Sequence, residues 1–91
     1  MITAETKYRL DILEIDYLNA NTLIGLCKIE LDKIYNILHK IDNDFSINND
    51  DIEYLEKIAI ELNSKIYHAK VACSSIKKGI IKIKELEEKK I

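Results

Sequence analysis

The chain has no proline, no tryptophan and no glutamine, and only two glycines in 91 residues. β-Sandwiches, barrels and doubly wound folds reverse direction often, and those turns draw on Gly and Pro. Their scarcity predicts an all-α protein. Two cysteines, Cys27 and Cys73, are too few for a disulfide scaffold. No apolar run reaches the ~20 residues of a membrane span, and Met1-Ile2-Thr3-Ala4-Glu5 lacks the basic and apolar regions of a signal peptide. The expectation is a cytoplasmic protein with reduced thiols and no membrane partner. A net charge of −2 is too small to predict direct nucleic-acid binding.

What is present is patterned. Apolar residues make up 47% of the chain and charged residues 33%, the balance of a folded domain spanning 1–91. Leu10, Leu13, Tyr17, Ala20, Ile24, Cys27, Leu31, Ile34, Leu38 and Ile41 follow one another at spacings of three and four. Ile52, Leu55, Ala59, Leu62, Ile66, Ala69, Cys73, Ile76, Ile80 and Ile83 repeat the pattern. Each run is a heptad seam. They predict helix 1 over about 4–41, an acidic turn over 42–48, and helix 2 over about 49–89. Asn48 is placed as the N-cap of helix 2, with Ile47 and Ile52 as a hydrophobic staple. Thr3 and Thr6 are the candidate caps of helix 1.

So short a turn makes the helices antiparallel neighbours, a coiled-coil-like hairpin. Folding about its middle pairs Ile41 with Ile52, Leu38 with Leu55, and so on to Leu10 with Ile83. The same register brings Glu30 near Lys65, Ile37 near Ile58, Leu23 near Ala72 and Glu14 near Lys77. It sets Cys27 and Cys73 about 10 Å apart along the axis, too far for a disulfide. Helix 1 also carries Ile12, Ile15, Leu26 and Ile29 off the seam, and one hairpin has nothing to cover them. They predict self-association into a homodimer or larger helical bundle.

Chemical signals are few. Asp42, Asp44, Ser46, Asn48, Asp50 and Glu53 stand at positions 1, 3, 5, 7, 9 and 12 of a twelve-residue loop, and so resemble an EF-hand. That resemblance implies a calcium-binding helix–loop–helix. Position 6 holds Ile47 where the family needs glycine with positive φ, so the expectation is no metal and an acidic cap. Ile15-Asp16-Tyr17-Leu18 resembles the Ile-Asp repeat of small dimeric helical chorismate mutases. Those enzymes hold a dianion with several Arg residues, and this chain has Arg9 alone. His39 and His68 fall far apart on outward positions. No catalytic residue and no cofactor is expected. The row Lys70, Lys77, Lys84 with Tyr67 is the candidate ligand-binding surface. Asp42, Asp44, Asp50, Asp51 and Glu53 form a candidate partner-binding tip, since residues 42–63 hold one base and seven acids.

Leu55-Glu56-Lys57-Ile58-Ala59-Ile60, followed by Asn63-Ser64 and Ile66, resembles the opening of the second helix in phage-encoded hairpin sponges. That family implies a non-enzymatic homo-oligomer binding cyclic nucleotides between hairpins. Small anti-CRISPR proteins are similar in size and style. They imply a phage-type inhibitor of bacterial defence that blocks a host protein.

Overall fold

Two helices, α1 (Ala4–Asp44) and α2 (Asn49–Glu88), run antiparallel in a single hairpin. The structure is a computed structural model that describes residues 2–89. The hairpin is a rod of 67 × 18 × 16 Å with a radius of gyration of 20.2 Å, against roughly 12 Å for a globule of this length. Both helices continue unbroken through Asn19–Thr22 and through Gly79.

Local chemistry accounts for the ends. The Thr3 hydroxyl caps α1, accepting from the Thr6 N–H at 3.2 Å. Asn48 caps α2, its side chain accepting from the Asp51 N–H at 2.8 Å. The Asp51 carboxylate accepts in return from the Asn48 N–H at 3.5 Å, completing a capping box. Asn48→Ala is therefore expected to cost about 1 kcal/mol in urea unfolding; an unchanged midpoint would show that the cap is idle.

The turn is shorter than expected. The 42–48 segment yields to helix as far as Asp44, so the reversal is made by residues 45–48. Asp42-Asn43-Asp44 contains no helix breaker, and each further helical residue closes one more backbone hydrogen bond. The helix stops where Phe45 takes the left-handed conformation, φ 52° and ψ 32°. That C′ position is usually glycine, because a Cβ there meets the backbone. Phe45 is 94% exposed, so its ring offsets little of that strain. Phe45→Gly is expected to raise stability by about 1 kcal/mol, and a loss of stability would mean that the ring packs on the tip.

The expected register holds. Lys65 Nζ donates to Glu30 Oε1 at 2.7 Å, Lys40 Nζ to Asp51 Oδ1 at 3.5 Å, and the Thr6 hydroxyl to Glu87 Oε1 at 3.3 Å. Gly79 admits Leu13, whose Cδ1 would lie 3.3 Å from a Cβ at that position.

The face, however, is corrected. The buried and half-buried residues that α1 turns towards α2 run Thr6, Arg9, Leu13, Asp16, Ala20, Leu23, Cys27, Glu30, Ile34, Ile37, Ile41. Those of α2 run Asp51, Leu55, Ile58, Leu62, Lys65, Ala69, Ala72, Ile76, Gly79, Ile83, Leu86. Leu13, Ala20, Cys27, Ile34 and Ile41 belong to both the expected and the observed seam, as do Leu55, Leu62, Ala69, Ile76 and Ile83. The alternate positions differ: Asp16, Leu23, Glu30 and Ile37 face α2, where Tyr17, Ile24, Leu31 and Leu38 were expected. At 100° per residue the helices have each turned by about 50°. The layers so formed match in size and charge, Leu13 against Gly79 and Glu30 against Lys65.

The core this leaves is thin. Ala20, Ile58, Ala69 and Ala72 are its buried apolar residues among those described. The accessible surface is 7173 Å², roughly 1,700 Å² more than a compact monomer of 10.6 kDa exposes.

Candidate functional site

The rotation of both helices has one consequence for the surface. Because α2 runs back antiparallel, an equal turn of each helix carries both displaced stripes to the same side of the hairpin. Leu10, Tyr17, Ile24, Leu31 and Leu38 lie along α1 there, and Ile52, Ala59, Ile66, Cys73 and Ile80 along α2. All ten are exposed; Tyr17, Leu31 and Ile80 each exceed half exposure. Together they form a continuous apolar band along one side of the hairpin. The heptad pattern picks out these residues but assigns them to the hairpin's own seam.

The opposite side is apolar on one helix alone. Ile15, Leu26 and Ile29 are exposed there and Ile12 is half-buried. The α2 positions beside them are Tyr54, Glu61, His68, Ser75 and Lys82. This stripe is narrower than the ten-residue side.

The tip carries Asp42 and Asp44 at the end of α1 and Asp50, Asp51 and Glu53 in the first turns of α2. Asp51 is committed to Lys40 and to the Asn48 cap. Residues 42–53 do not form a loop; only 45–48 lie outside the helices. Among the described residues no group of three or more His, Cys, Asp or Glu is placed to hold a metal ion. Phe45, an aromatic set among turn-forming residues, is the tip residue that no sequence pattern singles out.

Lys70, Lys77 and Lys84 line up along the exposed flank of α2 beside the apolar band, with Tyr67 one step further round. Lys84 lies 3.9 Å from Glu88, and the Tyr67 ring meets His68 edge-on with centroids 5.7 Å apart. A cleft of about 130 Å³ lies elsewhere, at the open end of the rod, among Glu5, Arg9, Lys82, Glu85, Leu86 and Lys89. His39 stacks on Tyr35 at 5.9 Å and stands far from His68. Cys27 is half-buried in the seam and Cys73 is exposed, both as free thiols. The heptad pattern puts both in the seam; the rotation that exposes Ile66 and Ile80 exposes Cys73 with them.

One polar layer interrupts the seam. Glu30 is 3% exposed and accepts from Lys65 at 2.7 Å and Lys33 at 3.3 Å. Its second oxygen, Oε2, is buried without a hydrogen-bond partner. The Lys65 hydrogen bond holds the Glu30 carboxyl below the usual carboxylate value, against the opposing effect of burial. The same bond raises the Lys65 ammonium. Glu61 and Cys27 also lie within electrostatic reach of Lys65, and the buried ion pair ties one level of α1 to one level of α2, which fixes the register.

No helix among the described residues is long and apolar enough to cross a membrane. No protein-family model, no curated protein and no solved structure matches this chain.

Proposed function

We propose that the chain is a non-enzymatic binding protein that works as a homo-oligomer, sequestering a ligand or blocking a protein partner. The setting is the one implied by the resemblance of Leu55–Ile66 to phage-encoded hairpin inhibitors of bacterial defence. The observation that carries the reading is the apolar band running the length of a rod that has almost no core of its own. Such a surface gains free energy only by being covered, at about 25 cal/mol per Å². In this reading the acidic tip, with Phe45 exposed at its apex, is offered to a protein partner, and the Lys70, Lys77, Lys84 row to an anionic ligand.

Sedimentation at micromolar concentration tests the first part, with at least a dimer expected. A clean monomer with a cooperative thermal transition removes the basis of the reading. A thermal-shift panel of cyclic nucleotides then separates the two modes. A rise of several degrees, abolished in Lys77→Glu, supports sequestration. No response to any member leaves the protein-blocking mode.

A further inference from the structure

We propose that the apolar band is the seat of a second copy, docked antiparallel about a two-fold axis that crosses the band beside Ile24. This rests on the self-association proposed above and adds to it the face, the orientation and the residues that meet.

The first argument is angular. In a hairpin that is complete by itself, the strongest apolar stripe of each helix points at its partner helix. In a square four-helix bundle each stripe points at the bundle centre, 45° away from the line to either neighbour. Here the stripe of each helix lies about 50° from the line to the other helix, on the 100°-per-residue wheel. Both are displaced to the same side of the hairpin. The geometry is that of half a bundle, with the missing half built from the same two stripes.

The second argument is area. A rod 67 Å long and 18 Å wide offers a side of roughly 1,200 Å², above the ~800 Å² per partner of a standard stable interface. Matching copies also interdigitate along this band. With the axis at Ile24, Cys73 of each chain falls opposite the partner's Ile66, and the small Ala59 opposite the partner's Ile80.

Charge chooses the orientation. The tip half of the rod, residues 24–69, holds five bases and nine acids. The open half, residues 1–23 and 70–91, holds nine bases and seven acids. Two hairpins stacked with their tips together set four net negative charges against four. Stacked antiparallel, each acidic tip lies over a basic open end. Along the rims this places Lys7 opposite the partner's Asp42 and Glu56 opposite the partner's Lys84.

The test joins cross-linking to sedimentation in the full-length chain. Ile24→Cys is made together with Cys27→Ala, leaving Cys73 in place, and oxidised with diamide. A covalent dimer joined through position 24 of both chains is expected. A bridge from position 24 of one chain to the partner's Cys73 would show tips stacked together and overturn the orientation. In parallel, Ile24→Lys is expected to weaken dimerisation ~100-fold, the consequence of an unpaired charge in an apolar interface. Ile15→Lys, on the other side of α1, is expected to leave it within ~3-fold, with helicity of both variants checked by circular dichroism. The reverse ranking, or a protein that sediments as a dimer yet forms no cross-link through position 24, assigns the interface to the Ile12, Ile15, Leu26, Ile29 stripe and sinks the proposal while self-association survives. A wild-type monomer fails both, leaving the band to a different partner.

Discussion

Ile58→Ala is expected to destabilise the hairpin by about 3 kcal/mol, measured by urea unfolding at a fixed protein concentration. Ile58 is 2% exposed and is the one large apolar side chain among the buried residues described. The seam on either side of it is built of half-buried residues, Ile34, Ile37, Leu55 and Leu62, so its truncation opens a cavity in the best-buried layer. The loss is a large fraction of the 5–15 kcal/mol that holds a typical domain together. Ile60→Ala provides the contrast. Ile60 is 66% exposed on the outer face of α2, and its truncation is expected to cost less than about 0.5 kcal/mol. Equal losses from the two substitutions would mean that α2 does not present Ile58 to α1, and the seam described above would be wrong.

The second large effect lies at Glu30. Glu30→Gln leaves the Lys65 ammonium, itself 29% exposed, facing a neutral amide, and a clear fall in Tm is expected at pH 7. Glu30→Leu combined with Lys65→Leu removes the polar layer from both sides. It is expected to match or exceed the wild-type Tm, because the second oxygen of Glu30 is buried with no hydrogen bond to offset its desolvation. The pH dependence follows from the direction of each shift. A carboxyl held below its ordinary 4.5 contributes stability that is fully present above pH 4.5 and is lost as pH falls through the lower folded value. A raised ammonium contributes below its ordinary 10.5 and loses that contribution as pH rises through the higher folded value. The Tm difference between wild type and Glu30→Gln should therefore be constant between about pH 5 and 10, and shrink on acidification below 4.5. A difference that stays flat far below that point would show that the Glu30 charge does not act through Lys65.

Much of this architecture is legible in the amino-acid sequence because it is local or additive. Sparse Gly and Pro, with long three-four repeats, leave only helices. Asn48 declares a helix start through its own side chain, and the charge pair Glu30–Lys65 reports the register directly. The turn is three residues shorter than the sequence predicts because acids and asparagine are read as turn formers. In the chain they are tolerated in a last helical turn, and the stop comes from Phe45, a residue whose type gives no warning of a left-handed conformation.

The exposed band was hidden for a different reason. Leu13, Ala20, Cys27, Ile34 and Ile41 belong to two heptad frames at once, and hydrophobicity favours the frame completed by Tyr17, Ile24, Leu31 and Leu38. A sequence ranks frames by how apolar they are. It thereby determines that each helix has one dominant stripe, which residues form it, and which level of α1 lies beside which level of α2. Only the tertiary structure decides where that stripe points. Within one hairpin each helix meets a single neighbour, and the face it presents is set by layer-by-layer fit: Leu13 needs the space at Gly79, and Glu30 needs Lys65. Those fits are met with the dominant stripes turned about 50° aside, so the most apolar residues of the chain end on its surface.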